Sequence, residues 1–587
     1  MFPNKECSMK SNFKMSRLSH HLGLLFALGA ASVFAQVAPP NAGSLLLTPA
    51  VPPAAPPKSP TMDLQQFERP ALVAPGGVKV KVVSFRVTGN TVIQESVLNA
   101  LLSDQVGKEL DLAGLDQAAS TISEYYRSQG YFVARAYLPA QEIASGNLEI
   151  AVIEGRLGSI KFVRNGELRL SETLAHDLVA GAAPLSAAIK ERNVERGLML
   201  LNDLPGIDVK STLVPGATPG TSDLVIETTE GKLRTGSIDL DNFGNKYTGS
   251  IRAGATVNYN DMSGRGDQLV VRAMTGGSNM NYGRVAYSLP VGKRGTKLGV
   301  AYSQMNYKLG GDFESLQASG SSGVTSLFAV HPLVRSRNDN AYLTATYDAK
   351  RLSDDQNRIN VTSKTAGVYS LGFSGDRRDG YGGGGLLAGS LTYTLGALDV
   401  TGNTNYAAND AITAKTNGTY TKVGYSLSRL QRIDDAWSFY ASLSGQATSS
   451  NLDSSEKFVL GGTGVRAYPQ GEAAGDSGSL INFEARYNVP GINFANMQLV
   501  GFLDTGSVML HQTAWSGWQP TGRPNFPNTY NLTGAGFGLN VYKDGNYSIR
   551  SSVAWKLGSN PGVDAIGRDS DGESRSARFW LQASKQF

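Results

Sequence analysis

Ile481-Asn-Phe-Glu-Ala-Arg-Tyr-Asn-Val489 puts an apolar residue at every odd position and a polar one at every even position. That period of two belongs to a β-strand with one apolar and one polar face. The same rhythm runs through Trp437, Phe439, Ala441 and Leu443, through Ala535, Phe537, Leu539 and Val541, and through Tyr547, Ile549, Val553, Trp555 and Leu557. Alternation alone also suits a soluble sandwich. Here the polar face carries Glu484, Arg486, Arg550 and Lys556 on the strands themselves, and the apolar face carries aromatic residues near strand ends. A barrel with a polar interior and a lipid-facing exterior predicts both features.

Just upstream, Gly461-Gly-Thr-Gly-Val-Arg-Ala-Tyr-Pro-Gln-Gly-Glu472 interrupts the alternation with a glycine-rich segment around one arginine. A long insertion of this kind between two strands predicts a loop folded back into the barrel. From about residue 231 onward the chain reads as one strand after another with no amphipathic helix, in roughly sixteen segments of about ten residues, an even number as bacterial barrels require. The connections alternate in length. Those at 430–435, 490–495 and 543–546 are short, and those at 397–418, 447–479, 506–531 and 558–575 are long. Short turns on one side and long loops on the other is the outer-membrane pattern.

Composition agrees. Among 587 residues there are 68 glycines, 24 tyrosines and 21 phenylalanines, with 18% charged residues. The mean hydropathy of -0.19 and the lack of a mature apolar run of about 18 residues argue against membrane helices. A net charge of +5 is mild for this length and points to no nucleic-acid partner. Lys10, Lys14 and Arg17, the apolar stretch Leu22–Phe34 and the small residues of Val33-Phe-Ala35 read as a secretory signal over residues 1–35. The only cysteine, Cys7, falls inside it, so the exported chain needs no disulfide framework. Residues 36–78 are rich in Pro and Ala and predict an extended linker; within them Met62–Arg69 has room for about two helical turns, although a disordered tether suits the composition better.

Residues 79–155 predict a small α/β domain: a strand Val80–Val87, helices around 94–102 and 112–129, a cap at Gly130, and strands Tyr131–Leu138 and Asn147–Glu154. The order and the phrases FRVTGN, YYRSQGYFVARAYLP and GNLEIAVIEGRL resemble polypeptide-transport-associated (POTRA) domains. Residues 156–230 repeat the pattern more loosely, with a strand opening at 158–163, a helix at 188–202, a segment 204–209 that leads into a strand, and another strand at 222–229, giving two POTRA-like domains before a barrel at 231–587. Free edges in such small sheets can pair with an incoming extended chain.

Together these parts resemble the two-partner secretion transporters (TpsB, haemolysin-secretion-activation type, in the POTRA-barrel superfamily). The resemblance spans residues 79–587. Its matches are Asp241-Asn-Phe-Gly-Asn-Lys-Tyr-Thr-Gly249, Gly264-Arg-Gly-Asp-Gln-Leu269, Tyr287-Ser-Leu-Pro-Val-Gly292, His331-Pro-Leu-Val-Arg-Ser-Arg337, the glycine-rich loop, and Phe502-Leu-Asp-Thr-Gly506. The resemblance implies a protein of the Gram-negative outer membrane with its POTRA domains in the periplasm. It implies a non-enzyme without cofactor or metal, whose partners are a large secreted exoprotein, outer-membrane lipid, and the barrel assembly machinery that reads the C-terminal strand ending in Phe587. An assembly factor of the same superfamily is the alternative.

In that family the loop arginine pairs with the aspartate of the Phe-x-Asp-x-Gly strand. The channel-loop motif is then Val465, Arg466, Ala467 and Tyr468, and the wall motif is Phe502, Asp504 and Gly506. An arginine taken into a lumen needs a carboxylate to accept its planar fork. Ala467 stands where the family usually has glycine; if that position needs positive φ, alanine costs about 1 kcal/mol. The family also fills its lumen with an N-terminal helix, which in this chain looks absent or very short. Two further motifs carry less. Gly475-Asp-Ser-Gly-Ser479 resembles a serine-protease segment but has no suitably placed histidine among His176, His331 and His511, and Asp569-Ser-Asp-Gly572 lacks the remaining ligand positions of a calcium loop. No nucleotide-binding loop occurs, so transport must draw on cargo binding or folding.

Overall fold

The computed structural model describes residues 39–47, 61–64 and 79–587, apart from positions 143, 144, 165, 167 and 493. The predicted signal, Cys7 and most of the predicted linker lie outside them.

Sixteen antiparallel strands form a closed barrel in sequential order, which leaves no backbone edge unpaired in lipid. Closure joins the first strand, Arg234–Asp241, to the last, Ala577–Gln586, over five register pairs from Ser237↔Gln586 to Asp241↔Gln582. Phe587 extends this seam by exchanging backbone hydrogen bonds with Gly236 in both directions. Its ring lies where a side chain at residue 236 would stand, 2.6 Å from the position of a Cβ there.

The outward positions are the apolar ones. Ile481, Phe483, Trp437, Phe439, Phe537, Ile549 and Trp555 are all exposed, forming the belt that the alternation predicts. Some strands run well beyond the expected ten or so residues: Asp339–Gln356 has 18 and Ile359–Asp379 has 21. Along Asp339–Gln356 the outward residues change from Leu343, Ala345 and Tyr347 to Arg351 and Ser353. Beyond the apolar band both faces are polar, so periodicity stops reporting the strand while pairing continues.

Two small α/β units sit at one end, here the near end. In the first, Ser84–Thr88 pairs in parallel with Asn147–Ile153, which pairs antiparallel with Arg135–Tyr137. The helix Leu112–Ser128 starts where Asp111 accepts a hydrogen bond from the Gly114 amide at 2.9 Å. It buries Leu115, Ala118, Ala119, Ile122 and Tyr126 against the sheet and stops before Gly130, whose φ is 86°.

The second unit has helices Glu172–Ala182 and Glu191–Asn202 packed on its sheet. The first of these was not legible in the sequence. Its sheet also holds a strand from outside the predicted domain: Thr61–Leu64 pairs in parallel with Lys210–Leu213 at the edge. The helical reading of Met62–Arg69 is therefore corrected at 62–64, as is the reading of those residues as a disordered tether. Four residues joining an existing edge need no internal periodicity, which is why the sequence did not signal them.

Two of the motif segments meet the second unit at the near end, and a third braces one of them. Arg335 makes a bidentate pair with Asp203, both contacts at 2.7 Å. Arg196 donates to the carbonyls of Pro332 and Leu333. The turn at Gly264 accepts from the Ser171 amide, and a Cβ on Gly264 would lie 2.4 Å from the Arg169 carbonyl oxygen. Asp267 is gripped within the same turn and by the Tyr287 hydroxyl.

At the far end, the fifth connection contains a helix, Thr404–Ile412, contrary to the expectation of a helix-free barrel region. It lies outside the strands. A second helix, Ala42–Leu46, lies inside the lumen. Ala42 and Leu45 pack on Met274, Met305, Tyr307 and Leu352, and the Ala42 amide donates to Asp354 at 2.8 Å. No described helix is long and apolar enough to cross a membrane.

Candidate functional site: an inward-folded loop on the lumen wall

The sixth far-end connection joins the strands Trp437–Thr448 and Ser477–Asn488 and is hereafter called L6. It turns into the lumen, where Leu460, Val465, Ala467 and Tyr468 are fully buried. Glycines make the turn possible by close approach. A Cβ on Gly464 would lie 2.3 Å from the Leu460 carbonyl oxygen, and one on Gly506 would lie 2.5 Å from a Leu460 methyl. Gly506 thus leaves the wall flat enough for Leu460 to seat.

Arg466 reaches the wall. Its Nε donates to Asp504 Oδ2 and its second terminal nitrogen to Asp504 Oδ1, both at 2.8 Å. The Arg466 amide adds a third bond to Oδ2 at 3.1 Å. The remaining terminal nitrogen donates to Glu484 Oε1 at 2.8 Å, and the guanidinium carbon sits 3.5 Å from the centroid of the Phe502 ring. Asp504 is completely buried. Burying a carboxylate is costly unless hydrogen bonds replace its water; here the arginine and Asn482, at 2.8 Å, do so. The indole of Trp580 donates to the Arg466 carbonyl at 2.6 Å, tying the loop tip to the last strand.

All seven residues of the two sequence motifs are therefore in one place. Val465, Ala467, Tyr468 and Phe502 share a buried cluster, Arg466 and Asp504 pair, and Gly506 makes room. Ala467 does not have positive φ; the nearby non-glycine residue that does is Ala473, at 57°. The conditional penalty at Ala467 accordingly does not arise.

The sequence did not single out Asn482, Glu484 or Trp580 as partners. Asn482 lies opposite Asp504 and Glu484 opposite Phe502 in the hairpin register, a relation that counting back from the short turn at 490–495 would have revealed. Glu472 is buried beneath the eighth connection, accepting from Asn560 at 2.8 Å and the Ser570 amide at 2.7 Å. The two minor motifs have structural partners. Asp476 accepts from the Leu452 and Gln512 amides and from Lys457, and Asp569 accepts from Lys556 and Arg578.

A sixteen-stranded barrel holding a loop and a short helix in its lumen, with small α/β units at one mouth, is the architecture of a POTRA-barrel protein of the bacterial outer membrane. The chain belongs to the haemolysin secretion/activation protein ShlB/FhaC/HecB family, whose model matches residues 220–541. A ShlB-type POTRA domain matches residues 80–155. Similar curated proteins include the heme/hemopexin transporter protein HuxB of Haemophilus influenzae strain 86-028NP, 29% identical over 494 residues and covering 83% of each chain. The outer membrane transporter CdiB of Dickeya dadantii is 25% identical over 466 residues, covering 74% of this chain and 78% of its own. Among solved structures, CdiB from Escherichia coli matches with a TM-score of 0.70 at 20% identity, over 89% of this chain and 93% of that one. The protein is thus an outer-membrane transporter of two-partner secretion, with a secreted exoprotein as its partner and its POTRA region in the periplasm.

Proposed function

We propose that the two small domains capture the exoprotein unfolded, by adding one of its extended segments to a sheet edge, and that the segment then passes through the barrel. The observation that carries this reading is the parallel pairing of Thr61–Leu64 with Lys210–Leu213. An edge that accepts four residues of backbone from elsewhere in the chain offers the same donors and acceptors to an extended cargo. The internal segment then acts as a competitor that cargo displaces.

The Arg466–Asp504 pair serves as the anchor that holds L6 across the lumen in the resting state. The C-terminal strand ending in Phe587 is the signal read by the barrel assembly machinery, and the outward apolar belt contacts outer-membrane lipid. The protein works without catalysis, and outward movement draws on folding of the cargo outside.

The test is deletion of this protein from its host. The expected result is a specific exoprotein retained in the periplasm while bulk outer-membrane assembly continues. General loss of outer-membrane proteins, with no retained cargo, would reject the reading.

A further inference from the structure

L6 is fastened at a second place, several strands away from Arg466. Residues 453–456 form a tight turn in which the Glu456 amide donates to the Asp453 carbonyl at 2.9 Å and Asp453 Oδ1 accepts from the amide and hydroxyl of Ser455. The turn aims both carboxylates at the wall. Asp453 meets Lys364 at 2.6 Å, with each side chain 2% exposed. Glu456 lies between Lys350 and Lys422, the latter at 2.9 Å. Lys422 also donates to the Glu456 carbonyl at 2.9 Å, and Gln446 to the same oxygen at 2.8 Å.

The three lysines come from separate wall strands, Asp339–Gln356, Ile359–Asp379 and Gly418–Arg432. Isolated buried ammonium groups are unfavourable, so three lysines held close together call for anionic partners. L6 provides two, with a geometry fixed by its own turn. The helix Ala42–Leu46 rests on the same turn: a Cβ on Gly43 would lie 2.2 Å from Ser454 Oγ and 2.7 Å from the Ser455 amide nitrogen. Its first amide is held by Asp354, which also accepts from Tyr307 and Thr362.

We infer that Lys350, Lys364 and Lys422 are positioning residues of a carboxylate latch that keeps the channel closed by holding Asp453 and Glu456, independently of the Arg466 anchor. The lumen helix covers the latch, so L6 leaves this stretch of wall only when five charged groups separate. The inference rests on the barrel's being the conduit.

The test is conductance of the full-length protein in planar bilayers without cargo, each variant first shown to be folded by heat-modifiable migration. Replacing all three lysines by glutamine, or Asp453→Asn with Glu456→Gln, is expected to raise the open fraction by more than about tenfold. Asp453→Lys alone should do the same, and adding Lys364→Asp should restore closure, which a merely structural contribution to packing would not. If the triple variant fails to assemble, Lys364→Met alone carries the same expectation. A folded lysine variant as closed as the wild type, or a charge swap as open as Asp453→Lys alone, would overturn the latch. A barrel that conducts in no variant, Arg466→Ala included, would instead reject the conduit and the latch with it.

Discussion

The methyl of Ala467 fills the space that a side chain at residue 534 would need. A Cβ built on Gly534 would stand 2.4 Å from the Ala467 Cβ, and Ala467 is fully buried. The two positions are complementary, small against none, and together they let the loop tip lie flat on the wall. Gly534→Val is therefore expected to unseat L6 and reduce secretion strongly. Ala467→Gly should cost only about 1 kcal/mol, from one lost buried methyl and added chain freedom. The double variant should secrete better than Gly534→Val alone. Secreted cargo per folded barrel is the measurement, and equal secretion by the single and double variants would count against this contact.

Arg466→Ala should abolish most secretion while the barrel still inserts. The substitution leaves Asp504 buried without its cationic partner, a loss of about 3–5 kcal/mol for a broken buried pair. Arg466→Lys should recover little, because an ammonium cannot make the two parallel bonds to Asp504, reach Glu484 and lie on Phe502 at once. Secretion near wild type from either variant would remove the anchor role.

Deleting residues 61–64 should strengthen binding of an extended cargo segment to the POTRA region. If the edge is about 90% occupied by the chain's own strand, the apparent affinity rises about tenfold once it is gone. Titration of the intact transporter with a peptide from the cargo's N-terminal region checks this. An unchanged affinity would mean that cargo binds elsewhere.

Glu154 gives the first POTRA domain an acid-sensitive joint. Its carboxylate accepts from the Val92 amide at 2.8 Å and the Tyr126 hydroxyl at 3.1 Å, and also from the amide and hydroxyl of Thr91. Burial raises the carboxyl pKa, but the hydrogen bonds from Thr91, Val92 and Tyr126 outweigh it and hold the value below the ordinary one. A depressed folded-state pKa stabilises the domain above the unfolded value of about 4.3. That contribution fades as pH falls through the folded value. Glu154→Gln should cost roughly 1–3 kcal/mol at neutral pH and flatten the acid limb of stability. Hydrogen exchange across residues 79–155 of the full chain reads both effects, and an unaltered acid limb in the variant would refute the assignment.

Much of this was legible from single segments. Alternation located the barrel strands because a two-faced wall imposes a period of two on every crossing. The helix Leu112–Ser128 was legible because its buried face recurs at helical spacing. The strand Thr61–Leu64 and the helix Ala42–Leu46 were not, since both are short and take their stability from surfaces supplied by distant residues. The helix Glu172–Ala182 was also missed. Asn482, Glu484 and Trp580 carry no motif; only hairpin register and barrel closure bring them to Arg466.

By itself the sequence determined the polar-inside barrel, the inward loop and the arginine at its tip, because each is written in local periodicity or composition. The resemblance already named Asp504 as the partner of that arginine; only the tertiary structure decided what else holds the loop: Glu484 beside Asp504, a methyl-sized gap at Gly534, and a lysine cradle for Asp453 and Glu456. Those contacts join residues from about 18 to 106 positions apart, and in a closed barrel such neighbours are set by strand register around the circumference rather than by anything a local stretch of chain encodes.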